Sequence, residues 1–319
     1  MLTTNRLQTE ISGLAILGIA LALGLSCPPA SAQVPAISPV TTINEAAAKP
    51  DIVLTPLRGN LTVVSGSGGN ITVLTGTDGK FMVDGGISLS KDSIQAALAK
   101  ISNAPLKYLV DTHYHWDHTD GNPWLHQAGA TIIATPNTVK HLSMPTRVDD
   151  WKYTFKTMAP DGMPTVVISG PKTYNFDGES IVLTPVVPAH TDSDLYVYFK
   201  KADVAVLGDL FWNGVYPFID NEQGGGIDGM IKVDNQILAV ITDKTIVVPG
   251  HGPVGNRKDL VAFRDMLVGI RNNVGSLKKQ GKSLADVVAS KPTAAFDATY
   301  GKFVIGPDFF TKIVYDGIK

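Results

Sequence analysis

The sequence predicts an α/β protein with sheet inside and helices outside. Three observations predict it. Short runs rich in β-branched residues, bounded by Gly, Asn and Asp, occupy 52–83 and 165–207. Each of these stretches is followed by segments whose apolar residues recur at helical spacing. The chain, 319 residues and 44% hydrophobic, is long and apolar enough to bury a core between such layers.

In chain order, residues 1–32 read as a secretory signal peptide. Ile11 to Leu25 is almost wholly apolar and follows Arg6, and Ala30-Ser31-Ala32 forms the small-residue cleavage site. The apolar run is short for a transmembrane helix. Cleavage after Ala32 removes Arg6, Glu10 and Cys27 together, so the formal charge stays at -2 and the mature chain holds no cysteine. A periplasmic or secreted protein without a stable membrane anchor is expected. Residues 33–51, rich in Pro, Ala and Thr, read as a flexible lead-in, and 52–319 as one domain with a helical tail from about residue 257.

Within that domain, strands begin at Ile52. Asn60 to Ser65 and Asn70 to Thr75 are β-rich, and Thr77-Asp78-Gly79 turns the chain into Lys80 to Val83. Ser90 or Asp92 caps a helix through Ile101, with Ile94, Ala97, Leu98 and Ile101 on one face. Lys107 to Val110 is a buried strand, Asp111 to Gly121 a loop rich in His and Asp, Trp124 to Ala128 helical, and Thr131 to Ala134 a strand. Residues 144–165 break the rhythm and read either as a lid or as a decorated loop. Several strands fill 165–207. Gly224-Gly225-Gly226 is a flexible turn before a helix from Ile227 to Ile241; Thr245 to Val248 is a strand and Arg257 to Gln280 a long amphipathic helix. Ser283 to Ser290 and Asp308 to Tyr315 are short helices.

Composition narrows the function. With 27 Lys and Arg against 29 Asp and Glu, the chain has no basic footprint for nucleic acid or anionic lipid. A single Cys excludes a disulfide scaffold and a cysteine zinc finger. The expected partner is a small-molecule substrate. The seven His are more telling. Asp111-Thr112-His113-Tyr114-His115-Trp116-Asp117-His118 places four metal-ligand candidates within six residues, directly after a strand. Alternate residues of an extended segment face the same way, so His113 and His115 can grip one metal; Asp117 and His118, where the chain turns, can reach a second. His190, Asp209 and His251 each follow a strand and are expected to converge with them on one sheet edge.

Imidazoles and carboxylates without thiolate suit Zn2+, two per chain, with Fe or Mn also compatible. Asp111 is either a support for a ligand imidazole or a turn or cap residue. Trp116, Trp212, Tyr216 and Phe218 flank ligands and are candidate pocket walls. His126 and His141 fall outside the motifs and read as packing residues.

The pattern HxHxDH followed by His, Asp and His resembles the metallo-β-lactamase superfamily in its glyoxalase II-like branch, over nearly all of 52–260. The resemblance implies an αββα sandwich, here with a helical C-terminal extension. It implies that His113, His115 and His190 hold one metal, that Asp117, His118 and His251 hold another, and that Asp209 bridges them. Two such metals bring the pKa of a shared water to roughly 7. The implied activity is hydrolysis, a metal-bridging hydroxide attacking an ester, thioester, lactone or amide carbonyl, with Asp117 orienting the nucleophile. Two positions depart from lactamase branches: Asp209 stands where one carries Cys, and Trp212 where a Lys often holds the substrate carboxylate. The rival readings are a β-lactamase with a non-standard site and a mono-iron, persulfide dioxygenase-like oxidoreductase.

Overall fold

A computed structural model describes residues 38–318. The expected signal segment 1–32, with Cys27, lies outside the described residues. The first described element is helix α1 (Pro39–Ala47), which corrects the expectation of a flexible lead-in over that stretch. Pro39 sits at the helix start, where its fixed φ and missing N–H cost nothing. Val40 and Ala47 are buried. Two distant contacts hold the helix: Ser90 Oγ donates to Ala47 O at 2.7 Å, and Trp116 Nε1 donates to Asn44 Oδ1 at 3.0 Å.

The strands that follow are β1 (Val53–Pro56), β2 (Leu61–Ser65), β3 (Ile71–Thr75), β4 (Lys80–Val83), β5 (Leu106–Val110) and β6 (Thr131–Ala134). The irregular stretch holds a hairpin of β7 (Thr146–Val148) and β8 (Tyr153–Phe155), and β9 (Val166–Val167) comes next. The first sheet runs β1-β2-β3-β4-β5-β6-β9, antiparallel up to β4 and parallel beyond it. A second sheet runs in chain order through β10 (Lys172–Phe176), β11 (Glu179–Pro185), β12 (Leu195–Phe199), β13 (Val204–Val206), β14 (Ile246–Val248) and β15 (Gly255–Asn256), with β13 and β14 parallel. Helices α2 (Lys91–Ile101), α3 (Trp116–Thr119), α4 (Asn122–Gln127) and α5 (Pro136–Leu142) belong to the first half. Helices α6 (Ile227–Val240), α7 (Arg257–Lys279), α8 (Leu284–Ala289), α9 (Asp297–Tyr300) and α10 (Pro307–Gly317) belong to the second.

The two-residue period of the strands explains the layering. Val63, Phe81, Val110 and Ile133 face Ile181, Leu183, Val197, Val204 and Val248 in a core between the sheets. Their chain neighbours Val64, Met82, Leu109 and Ile132 turn outward and pack with Ile94 and Leu98 of α2 and Trp124 and Leu125 of α4. On the far side, Ala205 and Val247 meet Met230, Val233 and Ile237 of α6 and Leu260, Phe263, Leu267 and Ile270 of α7. The order is therefore helix, sheet, sheet, helix. The inner strands β4 and β13 are buried on both faces, whereas β10, β11 and β12 keep one face partly exposed. The C-terminal helices form the outer layer over the second sheet, and α7 starts in a capping box, with Asn256 and Asp259 each accepting from the other's end of the turn.

Candidate metal centre

Both sheets supply the centre. From the first, the loop leaving β5 carries His113 and His115, and the short α3 carries Asp117 and His118. From the second, His190 follows β11, Asp209 follows β13 and His251 follows β14. This corrects the expectation of one sheet edge: the ligands face each other across the rim where the two sheets meet. All seven side chains are in one place.

They form two groups that could each hold a metal ion: His113, His115, His190 and Asp209, then Asp117, His118 and His251. In the first, His115 Nδ1 lies 3.0 Å from His113 Nε2 and 2.9 Å from His190 Nε2. In the second, Asp117 Oδ2 lies 3.2 Å from His251 Nε2 and 3.7 Å from His118 Nε2. Asp209 stands between them. Its Oδ2 is 3.3 Å from His190 Nε2 and 3.7 Å from His113 Nε2, while its Oδ1 is 3.1 Å from His118 Nε2 and 3.5 Å from His251 Nε2.

The donor set fits cations. His118 Nε2 and Asp209 Oδ1 are buried and, although 3.1 Å apart, are not aligned to hydrogen-bond, so neither has a partner among the described residues, a costly state unless something else pairs with them. Three imidazole nitrogens of the first group converge on one point with the Asp209 carboxylate beside them, which is how nitrogen and oxygen ligands surround a borderline-soft divalent ion.

The back faces of the rings are held as well. His118 Nδ1 donates to Asp84 Oδ2 at 2.8 Å. The same carboxylate accepts from Thr112 N at 2.8 Å and Thr112 Oγ1 at 3.0 Å, and Thr112 Oγ1 lies 3.1 Å from His113 Nδ1. Asp84 thus orients a ring in each group. His190 Nδ1 donates to Phe218 O at 2.8 Å, and His115 Nε2 to Asp220 Oδ2 at 3.2 Å. Tyr114 Oη donates to that same Asp220 oxygen. Such partners fix the tautomer and aim of a ligand ring. Asp111 is not one of them. It is buried and accepts from Asn122 Nδ2 at 2.9 Å, anchoring the start of α4. Burial pushes its carboxyl well up from the ordinary range. The sequence reading missed Asp84 and Asp220, which carry no motif; Asp84 directly after strand β4, with a left-handed φ of 66°, is the local signal that could have raised it.

Charge in the centre is divided. Burial alone would raise the Asp209 carboxyl, but His251, His118, His190 and His113 hold it well below its usual value. Burial depresses His190 to about 4 and His113 well below normal, so both rings are neutral. Against burial, the carboxylates around them raise His118 well above normal and His251 to about 9.

Glycine makes the close approach possible at two points. A Cβ at Gly250 would come within 2.0 Å of Asp209 Oδ1, and one at Gly69 within 2.3 Å of the His118 ring. Even a methyl group at either position would displace a ligand.

A cavity of about 220 Å³ lies over the centre, reaching His115, Asp117, His190, Asp209 and His251. Trp212 and Phe218 line it, as the sequence suggested, and Trp212 packs on His251 at 4.1 Å between ring centres. Trp116 instead faces an adjoining pocket, and Tyr216 is buried against Phe310 with its hydroxyl donating to Asp297 at 2.8 Å. Trp151, from the β7–β8 hairpin, is a wall the sequence did not single out, lying 6.1 Å from the His115 ring and 4.6 Å from Phe218. The hairpin is clamped there. Glu222 Oε1 accepts from Asp149 N at 3.0 Å, and Lys312 Nζ of α10 donates to Asp150 Oδ1 at 2.7 Å. His126 and His141 stand apart from the centre, bonded to Ala130 O at 3.0 Å and to Asp192 at 2.7 Å.

The sequence profile of the Metallo-beta-lactamase superfamily matches residues 64–261, the span that holds every candidate ligand. The chain belongs to this superfamily. Among curated relatives of the superfamily, metallo-beta-lactamase IND-1 of Chryseobacterium indologenes is 24% identical over 159 residues, which cover 50% of this chain and 61% of that protein. Among solved structures, the stereoselective inverting sec-alkylsulfatase Pisa1 from Pseudomonas sp. is similar with a TM-score of 0.64 at 16% identity, covering 84% of this chain and 51% of that one. A metallo-beta-lactamase from Pontibacter korlensis gives 0.55 at 16% identity, covering 68% of this chain and 99% of that one. At such identities the structural likeness concerns the fold. The match spans less than two thirds of IND-1 and about half of the alkylsulfatase. No helix among the described residues is long and apolar enough to cross a membrane.

Proposed function

We infer that this chain is an exported hydrolase that holds two zinc ions and cleaves a carbonyl compound: an ester, thioester, lactone or amide. The observation that carries the reading is Asp209, whose two oxygens face two separate ligand groups. His113, His115 and His190 would hold one ion, Asp117, His118 and His251 the other, with Asp209 shared. Bound there, the ions supply Lewis-acid polarisation of the carbonyl and a water of lowered pKa.

The protein's own residues do the rest. Neutral His113 and His190 offer lone pairs through Nε2, and Phe218 O keeps the His190 proton on Nδ1. Asp117 lines the cavity and orients the attacking water. The apolar walls exclude bulk water, which strengthens each electrostatic contact inside. In the net reaction, the OH of water joins the carbonyl carbon and its other hydrogen joins the departing alcohol, thiol or amine.

Asp at 209, where one lactamase branch carries Cys, supports a glyoxalase II-like site. A single-iron oxygenase would leave Asp117, His118 and His251 without a task. Metal analysis, followed by turnover of a thioester, a lactone, an ester and nitrocefin with and without chelator, tests the reading. Zinc at two per chain with chelator-sensitive cleavage of one of these is expected. A single iron with oxygen uptake would overturn it, and cleavage of nitrocefin alone would favour the β-lactamase reading.

A further inference from the structure

The walls around the metal centre select by polarity. Among the described residues lining the cavity over the ligands there is no Lys or Arg. The walls come from three distant stretches: Ile43 and Ala46 of α1, Trp151 of the β7–β8 hairpin, and Phe303 with Val304 from the turn after α9. Each stretch is fixed by contacts of its own or of its neighbours, so the apolar lining is built rather than incidental. Trp151 and Trp212 add aromatic ring surface to the same cavity and carry no charge to balance an anion.

Phe303 is the second observation. It is 45% exposed, unusual for so large an apolar side chain close to a buried centre. Its ring lies 6.3 Å from Trp212 and 6.5 Å from His251. It lines the inner cavity and also an adjoining groove of about 600 Å³, whose other walls include Val53, Val215, Pro253 and Val254. His251, Gly66 and Gly68 are common to both spaces. A ligand reaching the metals can therefore extend past Phe303 into an apolar groove.

We propose that the substrate is an uncharged carbonyl compound with an extended apolar arm, and that Phe303 is the residue that selects it. The identity of the reaction rests on the hydrolase reading above; the binding preference does not. An anionic group at the end of the arm would meet Phe303 and the valines, with no Lys or Arg among the described residues that line either space to receive it.

The test uses the zinc-loaded full chain with matched compounds. For turnover these are p-nitrophenyl acetate, p-nitrophenyl hexanoate, and the mono-p-nitrophenyl ester of adipic acid, which is hexanoate-like with a terminal carboxylate. For binding, read by tryptophan fluorescence, they are methyl hexyl ketone and the same ketone ending in a carboxylate. Neither ketone can be hydrolysed. The hexanoate is expected to exceed both the acetate and the adipate by about tenfold or more in kcat/KM, since each buried methylene contributes to binding. The neutral ketone is expected to bind about tenfold more tightly than its carboxylate. Phe303→Ala should erase most of the ratio of hexanoate to acetate turnover, whatever the absolute rate, and Phe303→Lys should shift preference toward the adipate. If no ester is cleaved but the ketones still discriminate and Phe303→Ala abolishes the difference, the hydrolase reading fails and the apolar preference stands. Equal binding of the two ketones, or an adipate preference in the unaltered chain, overturns the proposal.

Discussion

Asp84 Oδ2 and His118 Nδ1 lie 2.8 Å apart, on the side of the ring turned away from the ligand group. Because Asp84 also holds Thr112, whose hydroxyl touches His113 Nδ1, one carboxylate outside the centre sets two rings, one in each group. Replacing it should loosen both. Asp84→Ala is expected to weaken metal retention by about 10- to 100-fold, measured by competition with a chromophoric chelator. Unchanged affinity would mean that the packing of His118 and His113 suffices to aim them.

Metal uptake should release protons. In the metal-free protein His251 titrates at about 9 and His118 is raised well above its ordinary value, so both carry protons at neutral pH. A metal must displace those protons to bind Nε2. Calorimetry in buffers of different ionisation enthalpy is expected to show about two protons released per chain near neutral pH, and fewer above pH 9. The sign for the metal-free fold runs the other way from acid denaturation. A folded pKa raised from 6.5 to about 9 adds stability that is fully present below pH 6.5 and is lost as pH rises through 9. A thermal melt of chelated protein across that window reads it directly.

The clamp on Trp151 should matter for substrate more than for folding. Lys312 and Asp150 are partly exposed, and pairs of that kind contribute within about 1 kcal/mol. Lys312→Met is expected to leave the melting temperature nearly unchanged. It should raise KM modestly, up to severalfold, with kcat largely kept, because the hairpin keeps its Glu222 clamp but loses the second one and Trp151 is held less firmly in the wall. A fall in kcat alone would place Trp151 in the chemical step instead.

Asp117 is expected to be indispensable to turnover. Asp117→Ala removes a candidate ligand of the second group and the carboxylate proposed to orient the attacking water, and activity should fall by at least about 100-fold. Full activity with metal content unchanged would remove it from the mechanism.

Much of the centre was legible in the sequence because its ligands announce themselves. HxHxDH is a local pattern, and Asp209 and His251 follow the wholly apolar strands β13 and β14, while His190 follows the alternating β11. The helix-sheet-sheet-helix layering was likewise written into pairs such as Val63-Val64 and Leu109-Val110, which bury alternate residues in different cores. What was not legible depends on contacts across long separations. Residues of α1 read as a linker because its stability comes from Ser90 and Trp116, far along the chain. Asp84 and Asp220 are single acidic residues in turns, and only the fold brings them to imidazoles. Gly225, placed by sequence in a flexible turn, has the His190 carbonyl 2.2 Å from where its Cβ would be. Its small size is required by that contact.

Two metal sites joined through Asp209 are the centre proposed for this chain, and metal content per chain tests them most directly. The zinc-loaded protein, dialysed and measured by plasma emission against protein concentration, is expected to retain two zinc ions per chain, and Asp209→Ala to lose both or keep only one weakly. One tightly held ion in the unaltered chain, with Asp209→Ala binding it equally well, would contradict the shared-carboxylate centre.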